Sequence, residues 1–412
     1  MKTYPVFPFF KMNFLVLFLI LPFWACREGN SQVNAEAGRA VISGKIEQVD
    51  GWADELVLVK PMYYSKILAD YEMKVLGSVT IDGGGNFRTE VEISDGDTGL
   101  YFLMSQKEGS KFKNRIESFP WMENYIGIYL EDGIEIVLNA KLDELSSSLK
   151  FEKANSETKA LKQLHDLRAP LAKEIKLQFD TTSDKTTFQW SLHGNESIEK
   201  AYHGALDAFL DTTHLVIPAF VAMRMREPDN EFRDNPEFFI EVKNRLRKLA
   251  PNHPWHEQVD YYFQKDKLPL LRGEKMPDFA LPDLNGDTLR LADVKGKLII
   301  ADFWASWCAP CRKEAKETLL PLYNKWHEKG LEIVGISIDA DEKSWRRAIE
   351  KDGSDWLHGC DFLGDASPVR QSLKFEYIPS LYILDENKIL LARSLHGEEL
   401  VEFVENYFKD VR

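Results

Sequence analysis

The stretch Leu298 to Glu314, LIIADFWASWCAPCRKE, constrains this chain more than any other. LIIADFWA is apolar and short and reads as a strand. It runs into a segment that opens an amphipathic helix, with two cysteines, Cys308 and Cys311, across the junction. A thiolate, not a thiol, attacks a disulfide. A cysteine at a helix start faces unpaired backbone N–H groups and the positive end of the helix dipole, and both lower its pKa. Cys308 occupies that place. Cys311 lies one turn along, close enough to attack a mixed disulfide. With Ala309 between them, Pro310 suits the first turn, where its missing N–H is not required. The pair is therefore expected to cycle between dithiol and disulfide with no other cofactor. Half of a zinc site also uses this spacing, but no second Cys/His pair completes it, so no metal is expected.

The flanking sequence has the matching rhythm. After a linker around Leu268 to Arg272, residues 273–412 alternate strand and helix. LEIVGISID, WLHGCDF, SLYILD and ILLARS read as strands. Cys311 to Glu328, DEKSWRRAIEKDG, ASPVRQSLKF and EELVEFVENYFKDV read as helices. Such alternation implies an α/β layered domain.

Two further regions precede it. Residues 38–148 contain AVISGKIEQV, ELVLVK, GSVTI, FRTEVEI, LYFLM, YIGIYL and IEIVLN, broken by Asp/Gly turns. This spacing suggests a small β-sandwich or barrel. Gly83 to Gly85 reads as a hairpin turn, since no GK[ST] and no helix follow it. Residues 149–268 carry apolar positions at helical spacing and read as a mainly helical region, with Pro170, Pro218, Pro236 and Pro251 starting or breaking helices. Its histidines are His165, His193, His203, His214, His253 and His256. The proline between the last two spoils a helical ligand face, so a surface or capping role is expected for them.

Residues 1–26 join Lys2 and Lys11 to an apolar run, Asn13 to Ala25, that is short for a membrane span. The run ends at Cys26 and resembles a bacterial lipobox, although Phe23 and Trp24 replace the usual Leu and small residue. That resemblance implies a lipidated Cys26 at the mature N-terminus and a lipid anchor as the only membrane attachment. The competing reading is an ordinary cleaved signal. Residues 27–37 read as a flexible tether. The chain has 412 residues, four cysteines and a net charge of −14. It is long enough for several domains, too poor in cysteine for a disulfide-stapled scaffold, and too acidic for a nucleic-acid partner.

Residues 273–412 resemble the thioredoxin superfamily, specifically its TlpA/ResA-like envelope branch. The resemblance rests on GEKMPDFALPDLNGDTLRLADVKGKLIIADFWASWCAPCRKE and YIPSLYILDENKIL. It implies a thioredoxin-like fold, Cys308 as exposed nucleophile and Cys311 as buried resolving thiol. It makes Asp302, six residues before the nucleophile, a buried acid serving Cys311. It places a cis peptide at Ile378-Pro379 against the sulfurs, offering backbone to an extended substrate, and makes Trp304 and Trp307 an aromatic wall. Ser380 stands where the family often has Thr. A family proline soon after the cysteines is absent, Pro321 coming later, which leaves the helix kink unplaced. Residues 38–268 loosely resemble the extension on Bacteroidetes lipoproteins of this type, and are expected to dock substrate or dimerise. Cys360, outside any motif, reads as a buried free cysteine or as a second redox thiol.

The leading expectation is an envelope reductase of protein disulfides, facing the periplasm and fed by a membrane electron donor, with apocytochrome c thiols as one client by analogy. A disulfide oxidase or isomerase is the alternative, since potentials of such pairs span roughly −270 to −120 mV. A peroxidase wants Thr three residues before the reactive cysteine, where Ala305 stands. A binding lipoprotein dominated by its β-rich module is the remaining class.

Overall fold

The computed structural model describes residues 38–94, 97, 99–116, 123–181, 196–230, 232, 235–375 and 377–410. Cys26, the leader, the tether and His193 lie outside them. Among the described residues no helix is long and apolar enough to cross a membrane.

Eight strands come first: β1 (Gly38–Glu47), β2 (Glu55–Lys60), β3 (Lys74–Thr80), β4 (Asn86–Ile93), β5 (Leu100–Met104), β6 (Tyr125–Tyr129), β7 (Glu135–Lys141) and β8 (Lys150–Lys153). They form two four-stranded sheets, ordered β4-β1-β7-β8 and β3-β2-β5-β6. Alternation decides which residues face inward. Ala40, Ile42, Phe87, Val91, Ile136 and Leu138 of the first sheet meet Leu56, Leu58, Tyr101, Leu103, Ile126 and Ile128 of the second. Two sheets sharing an apolar layer make a sandwich rather than a barrel. At the glycine run, Asp82 Oδ1 accepts from the N–H groups of Gly84 and Asn86, each at 2.8 Å, and Gly85 takes φ 83°. That is a tight turn between β3 and β4.

The sandwich extends past the expected boundary at 148. β8 pairs antiparallel with β7, and its sequence KFEK is too charged and short to announce a strand. As a sheet edge it needs only backbone to pair on one side.

Six helices follow: α1 (Ser156–Leu167), α2 (Ala169–Thr181), α3 (Glu196–Thr212), α4 (Val216–Arg226), α5 (Pro236–Leu249) and α6 (Trp255–Tyr262). They share their core with the sandwich. Val57, Val59, Leu100, Phe102 and Met104, on the outer face of the second sheet, pack with Leu161, Leu164, Leu206, Phe220 and Trp255. This explains why all five residues of β5 are buried. Of the surface or capping role expected of His256, the same packing corrects the surface part and keeps the capping part, at the C-cap Ala250 of α5. It is 2% exposed, its Nε2 lies 2.8 Å from the Ala250 carbonyl, and its ring stands edge-on to Phe220. His253 does cap, its Nδ1 accepting from the Trp255 N–H at 3.2 Å.

The C-terminal part holds β9 (Ala280–Pro282), β10 (Thr288–Arg290), β11 (Leu298–Trp304), α7 (Ala309–Glu314), α8 (Leu320–Trp326), β12 (Leu331–Ser337), α9 (Glu342–Asp352), β13 (Leu357–Cys360), α10 (Pro368–Leu373), β14 (Ser380–Asp385), β15 (Leu390–Arg393) and α11 (Gly397–Asp410). β9 and β10 form a hairpin, and the main sheet runs β13-β12-β11-β14-β15. β11 pairs parallel with β12 and antiparallel with β14. Apolar layers cover both faces of the sheet. Leu298 and Ile300 meet α8 and α11 on one side, while Ile299, Ala301 and Phe303 meet α9 and α10 on the other. The chain is thus multidomain, a β-sandwich and helices followed by a thioredoxin-like α/β domain.

Candidate active site

The central strand delivers the site. β11 ends at Trp304, the chain turns through Ala305 to Trp307, and Cys308 is the N-cap of α7. The Cys308 N–H donates to the Ala305 carbonyl at 3.1 Å, closing the turn. Cys308 and Cys311 are joined as a disulfide, with their Cα atoms 5.3 Å apart. The Cys311 N–H points at Cys308 Sγ, 3.2 Å away. A free N–H at a helix start aimed at a sulfur stabilises negative charge there, so the dithiol form would hold a thiolate at this position.

The helix that carries the pair is not the single run expected from Cys311 to Glu328. α7 passes into a π-helical segment, Ala315–Leu319, and then into α8, which has Pro321 as its second residue. A proline has no N–H for the preceding turn and its ring crowds the carbonyl four residues back. A π-bulge accommodates this by shifting the bonding register. The irregularity therefore begins at Ala315, about one turn after Cys311. α7 itself is fixed from the side: Arg312 donates to both Asp352 oxygens at 2.6 Å, and Lys316 Nζ lies 2.8 Å from Oδ1 of the same carboxylate.

Solvent reaches the two cysteines less unequally than the resemblance implied. Cys308 is 5% exposed and Cys311 2%. Cys308 is screened because the Ile378 carbonyl stands 3.8 Å from its Sγ. In the disulfide that sulfur has no proton to donate, so this is a contact rather than a hydrogen bond. The Ile378-Pro379 peptide is cis, and β14 starts at Ser380. Ala309 and Pro310 are exposed. Trp307, next to Cys308 in the chain, is 67% exposed, and Tyr377, next to Ile378, is 54% exposed. Trp304 differs: it is buried, with its ring edge-on to His358 at 5.8 Å, and belongs to the core beneath the site.

Asp302 lies in the middle of β11, 4% exposed, opposite Gly335 and Leu381 on the neighbouring strands. Burial, with the like charge of Glu314 added, pushes its carboxyl up to about 8. The group is thus poised to give and take a proton near neutral pH. Sequence reasoning missed Glu314. Its signal was its spacing, three residues after Cys311 and so on the same face of the helix. Its Oε1 accepts from the Gly397 N–H at 3.0 Å, anchoring α11 to α7. Cys360 is fully buried and unbonded to another cysteine, and burial pushes its thiol up to about 11. Such a sulfur is a poor nucleophile.

This part of the chain is similar to known proteins. Residues 272–393 match the AhpC/TSA family. A thiol-disulfide oxidoreductase ResA from Bacillus thuringiensis is 26% identical over 151 residues, 37% of this chain and 83% of the relative. The thioredoxin-like protein YneN of Bacillus subtilis is 29% identical over 128 residues, 31% of this chain and 74% of the relative. Among solved structures, the thioredoxin domain of a thiol-disulfide oxidoreductase from Bacteroides vulgatus is 35% identical, covering 34% of this chain and 98% of that one, with a TM-score of 0.32. The C-terminal domain of this chain is a thioredoxin-like domain of the TlpA/ResA type, and the protein is a thiol–disulfide oxidoreductase.

Proposed function

We propose that the protein reduces protein disulfides in the cell envelope by exchange at Cys308 and Cys311. The observation that carries this reading is the bonded pair at a helix start, facing the Ile378 carbonyl beside the cis proline. In the reduced protein, the Cys308 thiolate attacks a client disulfide. A mixed disulfide forms and a client thiolate leaves, taking a proton from solvent. Asp302 takes the Cys311 proton, the Cys311 sulfur attacks Cys308, and the second client sulfur leaves as a thiolate that takes a proton in turn. Two electrons pass to the client, and the pair is left as the disulfide. A membrane electron donor restores the dithiol, and the disulfide itself is the redox centre. Backbone of the Ile378-Pro379 loop aligns an extended client strand, and Trp307 gives it an apolar wall.

In this reading Cys26 is lipidated and holds the protein to a membrane on the periplasmic side, with cytochrome c maturation as one setting. The sandwich and helices guide the client, or pair two copies of the chain. A cleft of about 1100 Å³ supports client guidance. It is walled by Lys200, Asp207 and Arg226 from the helices and by Tyr377, Leu395 and His396 from the thioredoxin-like domain.

Two measurements test this. A Cys311→Ser variant should accumulate mixed disulfides through Cys308 that thiol reductants dissolve. Absence of such adducts, with a Cys308 thiol titrating near about 8.5 like free cysteine, would end the reading. The potential of the pair decides direction: a value near the oxidising end, about −120 mV, would make the protein an oxidase instead.

A further inference from the structure

Asp339 stands just beyond β12, on the turn that leads to α9. It is 2% exposed, and among the described residues no cation pairs with it. Three donors satisfy its carboxylate. Oδ2 accepts from the Ser306 N–H at 2.8 Å and from the Ser337 hydroxyl at 2.7 Å. Oδ1 accepts from the Ser306 hydroxyl at 2.7 Å. Backbone reinforces the link, since the Ile338 N–H donates to the Trp304 carbonyl at 3.0 Å. The Cys360 thiol lies 3.5 Å from the Asp339 carbonyl, so the ends of β11, β12 and β13 meet at this residue. Ser306 is the middle of the turn between β11 and Cys308. A charged carboxylate buried without a cation is costly, and charge-assisted bonds to a loop are what offset that cost.

We propose that Asp339 is a positioning residue for thiol exchange: it clamps the Ala305–Trp307 turn and so fixes Cys308 over the first N–H groups of α7. The inference rests on Cys308 being the attacking thiol. Two hydrogen bonds to one residue hold the turn in place, and the turn sets where the sulfur sits. The same clamp orients Trp307, whose side chain stands free beside the disulfide. An asparagine can keep the clamp, because its amide oxygen accepts from the Ser306 N–H while its NH2 donates to the Ser306 hydroxyl. An alanine cannot.

The test uses the full-length reduced protein, reading the pH dependence of Cys308 alkylation and the rate of reduction of a model protein disulfide. Asp339→Ala should raise the Cys308 pKa by about one unit and slow exchange about tenfold. Asp339→Asn should restore both to within about threefold. Ser306→Ala, which removes one bond and no buried charge, should shift both in the same direction by about threefold, and it serves where Asp339→Ala does not fold. A purely structural role would lower the melting temperature and leave the pKa and the rate at low temperature unchanged. Parent values in folded Asp339→Ala, or in Ser306→Ala, overturn the proposal. So does Asp339→Asn behaving no better than Asp339→Ala. An unsubstituted protein that exchanges no disulfides would instead bring down the functional reading beneath it.

Discussion

The sandwich and the thioredoxin-like domain each contain a central strand buried at every position, β5 and β11. β5 reads LYFLM and is apolar throughout, as a strand covered on both faces should be. β11 reads LIIADFW and carries a carboxyl, Asp302, within its buried run. Asp97 and Glu123, buried in the sandwich and helices, are paired. In the sandwich, Asp97 accepts from Lys60 Nζ at 2.8 Å, the Tyr101 hydroxyl at 2.7 Å and the Gly99 N–H at 3.1 Å. Burial alone would raise its carboxyl, but these bonds outweigh it and hold it below the usual range. Glu123, 5% exposed, is matched by Arg168. Asp302 has only the like charge of Glu314 acting on it, and is raised. Asp97 and Glu123 therefore hold elements together, as Asp352 and Asp339 do in the thioredoxin-like domain, whereas Asp302 stands raised with no such partner among the described residues.

The contrast breaks most visibly at the cysteines. Cys308→Ser should lower disulfide reduction roughly 10³-fold or more, while Glu123→Gln leaves the rate at the parent value. The reverse pattern in a reductase assay would move the activity into the sandwich and helices. Asp302→Asn should come next, slowing exchange roughly 10²-fold by removing the proton acceptor. It has a second signature. A carboxyl near 3.8 in the unfolded chain and about 8 in the folded one contributes stability that is present at acid pH. That contribution falls away as pH rises through the folded value. Asp302→Asn should therefore be more stable than the parent above pH 8 and lose its advantage near pH 4, as denaturant titrations at both pH values would read. Asp97→Asn should do the opposite: it should cost about 2 kcal/mol at neutral pH and nothing at acid pH, where the parent carboxyl is protonated too. If both variants shift with pH in the same direction, the distinction between paired and unpaired buried acids fails.

Much of this was legible in the sequence, for identifiable reasons. Strand and helix alternation after residue 273 reports a layered domain because each element buries one face or both. The pair Cys308 and Cys311 reports chemistry because its spacing is one helical turn. Several features stayed hidden. β8 is an edge strand of charged residues, and edge pairing uses backbone, which has no sequence signature. The π-helical segment precedes Pro321, which lies mid-way along the expected helix and by itself does not say where the bonding register shifts. The clamp at Asp339 joins residues 33 positions apart in sequence, Ser306 and Asp339, through side-chain bonds that only the sheet register brings together. Burial of Cys308 was missed because the screening carbonyl comes from Ile378, on another strand's loop.

The smallest expected effect concerns Cys360, and it separates two kinds of sulfur in one domain. Cys308 sits against a helix start. Cys360 sits at the end of β13, fully buried, with its Sγ accepting from the Phe362 N–H at 3.4 Å. Burial pushes its thiol up to about 11, so almost none is thiolate at neutral pH. A group that cannot ionise cannot attack a disulfide, and its remaining contribution is packing. Cys360→Ala should cost about 1 kcal/mol in a denaturant titration, the usual scale for deleting one small buried group. Exchange rate and the Cys308–Cys311 potential should stay at parent values, because Cys360 touches the Asp339 carbonyl and the Ser337 hydroxyl but neither of the two bonds that hold Ser306. A shifted potential in Cys360→Ala would make this sulfur part of the redox site.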